Sequence, residues 1–101
     1  MSESISTQIK IEPNITIDTH TMTVAQAGKD VGLTRRQFDI LVFLSEAEGR
    51  PVPAAELAEK VFPNPVFKNT VEVYINMIRH KLGREVIINR HGFGYLVKSR
   101  A

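Results

Sequence analysis

Apolar positions along the chain change their spacing twice, and each change marks a new kind of element. Between residues 8 and 33 they fall at every second position in short runs: Ile9 and Ile11, Ile15 and Ile17, Met22 and Val24, Val31 and Leu33. This is the alternation of half-buried strands. Glu12-Pro13-Asn14, Asp18-Thr19-His20-Thr21 and Gln26-Ala27-Gly28-Lys29-Asp30 separate the runs, and all are turn formers. Three or four short antiparallel strands are expected, and a single sheet of this kind must lean one face on another layer. From Leu33 the spacing becomes helical. Thr34 with Gln37 fits a capping box and Leu33 with Phe38 a hydrophobic staple. Phe38, Leu41, Val42 and Leu44 then supply the buried face of a helix over residues 34–48, with Gly49 past its end. Arg50-Pro51-Val52 reads as a brief extended segment. Pro53 opens a second helix over residues 53–62 with Leu57, Ala58 and Val61 inward, and Pro63 and Pro65 stop it.

A third helix is predicted over residues 69–83. Val71, Ile75, Ile78 and Leu82 make one continuous stripe, its buried side. At about 100° per residue, Thr70, Tyr74, Met77 and Lys81 form a second stripe beside it. Asn69 with Glu72 fits a capping box in which Asn is the cap. Arg79, His80 and Lys81 suit the negative end of the helix dipole, and Gly83 supplies the terminating residue. Residues 86–98 then predict a hairpin: Val86, Ile87 and Ile88 are β-formers, Phe93, Tyr95 and Val97 alternate with Gly94, Leu96 and Lys98, and His91-Gly92 makes the tight turn. The expected fold class is therefore α+β, a winged helix with an N-terminal antiparallel sheet (8–33), a three-helix core containing a helix-turn-helix with its loop at 63–68, and a C-terminal β-hairpin wing. Residues 8–101 form this one domain, and residues 1–7, polar and without periodicity, are expected to be a disordered tail.

Composition adds little until charge is divided by position. At 101 residues, 43% hydrophobic and 24% charged, the chain is long enough for one modest core. From Lys68 onward seven Lys and Arg face two acids, a balance of +5, whereas residues 1–67 carry six bases and nine acids, a balance of −3. Positive charge thus gathers on the third helix and the wing, as a phosphate-binding footprint requires. An α-helix fits the DNA major groove, where side chains meet base edges while cations neutralise phosphates.

The stretch from residue 69 to 95 resembles the DNA-binding effector domain of OmpR/PhoB-type bacterial response regulators. Matching positions are Thr70-Val71-Glu72-Val73, Ile75, Arg79, Lys81-Leu82, and the wing's Gly92, Gly94 and Tyr95; Leu33, Thr34, Phe38, Leu41 and Leu44 match the family's first helix. The resemblance covers about residues 8–98. It implies a sequence-specific transcriptional regulator of double-stranded DNA in a bacterial two-component system, located in the cytoplasm. The expected DNA-binding residues are Asn69, Thr70, Tyr74, Met77, Arg79 and Lys81 on the helix, with Arg79 near enough to the core stripe to reach a backbone phosphate, and Asn89, Arg90, His91 and Tyr95 on the wing. The resemblance further implies that the 63–68 loop, with Asn64, Val66, Phe67 and Lys68, contacts RNA polymerase, although Val66 and Phe67 also suit folding back onto the core. Tandem homodimers on direct repeats are a further implication. Four positions depart from the family pattern: Asn69, Met77 and His91 stand where Arg is usual, and Tyr74 where His is usual. Pro53 also replaces the usual Ser or Thr cap of the second helix.

Fewer cationic donors leave a second expectation, a winged helix repurposed for binding protein, since exposed aromatic residues and Met are enriched in protein interfaces. An enzyme is the weakest option. His20, His80 and His91 are scattered over a turn, a helix end and a hairpin tip, and there is no cysteine, so neither a metal nor a cofactor site is expected. No run approaches the roughly 18 apolar residues of a membrane span.

Overall fold

The computed structural model describes residues 8–100; the tail expected over residues 1–7 lies outside them. Four strands, β1 (Gln8–Ile11), β2 (Ile15–Asp18), β3 (Thr23–Gln26) and β4 (Lys29–Val31), pair in chain order as an antiparallel meander. Ile11, Ile15, Ile17 and Val24 are almost wholly buried on the inner face, as the alternation predicted. The β3–β4 turn is two residues long, Ala27 and Gly28, both at positive φ, which matches the right-handed twist of the flanking strands. Met22, expected in a strand, lies instead in the β2–β3 turn at φ 60° and is exposed. Asp18 shapes this turn: its Oδ1 accepts from the amides of His20 and Thr21 at 2.9 and 3.1 Å.

Helix α1 (Arg35–Glu46) starts where the capping box placed it. The Thr34 hydroxyl accepts from the Gln37 amide at 3.3 Å, and the Gln37 side chain accepts from the Thr34 amide at 3.1 Å. Phe38, Ile40, Leu41 and Leu44 are buried, whereas Val42 is only half-buried. The buried arc is wider than the sequence suggested because the helix contributes to one core cluster shared by the sheet, α3 and the wing. Helix α2 (Ala54–Lys60) begins at Pro53 without a side-chain cap and buries Leu57 and Ala58. It is shorter than the expected 53–62, and Val61 and Phe62 lie half-buried beyond it.

Helix α3 (Lys68–Leu82) buries Val71, Ile75, Ile78 and Leu82. Its N-cap is Phe67, with no side-chain cap bond. This corrects the assignment of Asn69: the Phe67 carbonyl accepts from Thr70 and Val71, so the first turn winds before Asn69, which lies inside the helix. Strands β5 (Ile88–Arg90) and β6 (Gly94–Leu96) form the wing with three residue pairs. Val86 and Ile87, expected in the ladder, are instead buried ahead of it. The turn is also longer than predicted: the Phe93 amide donates to the Arg90 carbonyl at 2.9 Å, and His91, Gly92 and Phe93 lie outside the pairing. Phe93 therefore leaves the strand and is 67% exposed.

Two further bonds make the wing part of the body. Val52 exchanges both backbone hydrogen bonds with Tyr95, at 2.7 and 2.9 Å, so β6 is paired on both sides. At the other end of the molecule the chain after β6 runs antiparallel to β1, with the Glu12 amide on the Lys98 carbonyl and the Arg100 amide on the Lys10 carbonyl at 2.8 and 2.9 Å.

Candidate nucleic-acid interface

Helix α3 keeps one face uncovered. Its core stripe is at most 2% exposed, and about half a turn away Asn69, Val73, Asn76 and His80 form an exposed line, as 3.6 residues per turn demands. Val73 is 51% and Met77 42% exposed. Together with Gln37, Asn76, His80 and Lys81 they line a shallow, open and largely apolar groove. The stripe expected to face outward, Thr70, Tyr74, Met77 and Lys81, lies on the flank of this line.

Consequently its members differ in accessibility. Met77 is open. Thr70 is half-buried. Tyr74 is half-buried with its ring edge-on to Phe62, centroids 5.3 Å apart, while the Arg36 guanidinium covers Phe62 at 5.7 Å. Lys81 keeps an exposed stem, but its ammonium donates to the Gly32 carbonyl at 2.8 Å and to Gln37 Oε1 at 2.9 Å. The buried Gln37 is the hub: the same Oε1 closes the cap on Thr34, and Nε2 donates to Met77 Sδ at 3.4 Å. The N-terminus of α1 is thereby joined to the outer edge of α3.

Arg79 and Tyr95 are turned inward. Instead of reaching outward, as a phosphate contact would need, Arg79 donates Nε and Nη2 to the Ile87 carbonyl at 3.2 and 2.8 Å. Its guanidinium lies 5.9 Å from the Tyr95 ring centre. The root of the wing passes this flank of α3 and is tied to it through the Ile87 carbonyl. Tyr95 is 8% exposed, packed into the core cluster with the Arg79 guanidinium over its ring; it belongs to the core and not to the rim of the wing. Burial raises its phenol pKa above the ordinary value, the Glu72 carboxylate adds to this, and Arg79 opposes it.

At the tip, Asn89, Arg90 and His91 are exposed as expected. In the loop before α3, Asn64 and Lys68 are exposed and Phe67 is 81% exposed, whereas Val66 is half-buried against the core. The choice between a partner contact and a return to the core thus divides between two adjacent residues. Val73, Asn76, His80 and Phe93 were missed by sequence reasoning. The first three sit diametrically opposite the Val71–Leu82 stripe, a position readable from the sequence; Phe93 was assigned to a strand and gave no signal.

Charge is organised in the same way. The ion pairs among the described residues, Arg35–Asp39, Arg36–Asp39 and Arg50–Glu56, all lie before residue 68. Lys68, Arg84 and Arg90 are exposed and form none. The described residues contain no cluster of three His, Asp or Glu side chains able to hold a metal ion.

The family of the transcriptional regulatory protein C-terminal domain matches residues 28–97. Among individual proteins, the transcriptional regulatory protein CseB of Streptomyces coelicolor is 33% identical over 88 residues, 85% of this chain and 38% of that protein. VxrB of Vibrio cholerae is 34% identical over 91 residues, covering 88% and 37%. The chain therefore spans less than half the length of the curated relatives it matches. Among solved structures, the Thermotoga maritima response regulator DrrB, an OmpR/PhoB homologue, superposes with a TM-score of 0.81 at 28% identity, covering 90% of this chain and 44% of DrrB. The DNA-binding domain of the response regulator AdeR, solved with an intercistronic region, gives a TM-score of 0.77 at 26% identity, covering 89% and 99%.

Proposed function

The chain belongs to the OmpR/PhoB-type family of transcriptional regulatory protein C-terminal domains, and from that premise we propose that it is a sequence-specific regulator that binds double-stranded DNA. The outer face of α3 enters the major groove, and the wing tip meets the adjacent minor groove or backbone. The observation that carries this reading is the uncovered line Asn69, Val73, Asn76 and His80 with Met77 beside it, flanked by unpaired Lys68, Arg84 and Arg90. Asn69, Thr70, Met77, Asn89, Arg90 and His91 remain the proposed contacts from the sequence. Tyr74 and Lys81 border the contact surface, and Arg79 and Tyr95 position the wing. AdeR, whose domain is covered almost completely by this fold, was solved on DNA.

Titration of a duplex at two salt concentrations tests the proposal. Counterion release makes DNA affinity fall steeply with salt, and Arg90→Ala is expected to weaken binding and flatten that slope. Absence of duplex affinity would instead favour a protein partner on the Val73–Met77 face. Phe67, exposed at the start of α3, supports the 63–68 loop as the surface that meets RNA polymerase, and direct-repeat sites would be filled by tandem copies. No helix among the described residues is long and apolar enough to cross a membrane, and we place the protein in the cytoplasm with its DNA.

A further inference from the structure

We propose that the groove between Val73 and Met77 reads the C5-methyl groups of thymine; this rests on the DNA-binding reading above. Val73 and Met77 are four residues apart, so they stand one above the other on the open face of α3. Both expose large apolar surface, 51% and 42%, in a largely apolar groove whose polar lining comes from Gln37, Asn76, His80 and Lys81. Among the base edges of the major groove, only thymine offers an apolar group; guanine, adenine and cytosine present donors and acceptors alone.

Apart from Lys68 in its first turn, the lysine and arginine side chains of α3 do not compete for that role. Arg79 is fixed on the Ile87 carbonyl, and the Lys81 ammonium is fixed between Gly32 and Gln37. The guanidinium that would pair with guanine O6 and N7 is therefore absent from the outer face of α3. Met77 is also less free than an exposed methionine usually is, because its sulfur accepts from Gln37 Nε2 and Gln37 is 3% exposed with its Oε1 held by Thr34 and Lys81. A side chain held before binding loses less rotamer freedom when a methyl group is placed against it. Asn76, one residue from Met77, has the amide geometry that pairs with adenine N6 and N7, so A·T pairs are favoured by both kinds of contact.

The test uses duplexes selected by the 101-residue chain from random sequence, with each thymine replaced in turn by deoxyuridine, which removes the methyl group and keeps every hydrogen-bonding atom. Wild-type protein is expected to lose about fourfold in affinity per buried methyl at one or two positions. Met77→Ala should abolish that discrimination at one of them without changing the salt slope, and Met77→Leu should retain it. Salt-sensitive binding with no penalty for uracil at any position overturns the inference alone, as does Met77→Ala with discrimination intact. Loss of all duplex affinity in the wild type overturns the DNA reading together with it.

Discussion

Gly94 illustrates how a single residue couples two parts of the molecule. It adopts φ 139°, and a Cβ built there would collide with the Val52 carbonyl and approach Pro53 N to 2.6 Å. Both the backbone angle and the space exclude a side chain. Gly94→Ala is expected to destabilise the fold by about 1–3 kcal/mol, visible as a lower urea midpoint, with loss of the Val52–Tyr95 bonds. The next residue carries a pH effect. The Tyr95 phenol has a folded pKa raised above its ordinary 10.0, chiefly by burial. Its contribution to stability is complete below about pH 10 and is lost as pH rises through the folded value. Urea midpoints at pH 8 and pH 11 should fall less in Tyr95→Phe than in the wild type; equal losses would remove Tyr95 from the alkaline transition. In the sequence Gly94 was legible as part of a wing motif, but its close approach to Val52 was not, because that contact joins residues 42 positions apart.

At the scale of the element, periodicity and capping behaved differently. Four apolar residues set the phase of α3, and the observed core stripe is the expected one. The cap was misplaced because Asn69 and Glu72 satisfy a local pattern that the backbone does not use, and helix ends are the part least constrained by an apolar stripe. With Phe67 at the N-cap, the first turn lacks a side-chain acceptor. Phe67→Asp is expected to stabilise the helix by about 0.5–2 kcal/mol, read as a melting temperature raised by several degrees; Phe67 is 81% exposed, so little burial is lost in the exchange. The stripe of Thr70, Tyr74, Met77 and Lys81 is not the most open side of the helix for a related reason: that flank is met by Phe62 and by Gln37, neighbours contributed by the segment after α2 and by α1 that no local spacing reveals.

Across the whole molecule the uneven charge seen in the sequence survives folding, because the ion pairs among the described residues, Arg35–Asp39, Arg36–Asp39 and Arg50–Glu56, all lie before residue 68 while Lys68, Arg84 and Arg90 enter none. Three such cations meeting phosphates predict a slope of log affinity against log salt of roughly −3, a value that a duplex titration between low and moderate salt measures directly; a slope near zero would mean that these residues do not meet the backbone. The order of strands and helices was legible because each has its own period and punctuation. The extra pairings of Val52 and of the last residues were not, since one- and two-residue bridges leave no periodic trace. One of those pairings has a mechanical consequence. The strand leaving the wing lies antiparallel to β1, so tension applied through the first and last described residues opens their hydrogen bonds one after another, as a zip, instead of loading them all at once. A tug through the two ends therefore yields at low force on the sheet's outer seam, while the embrace between the third helix and the wing carries none of the load until that seam has parted.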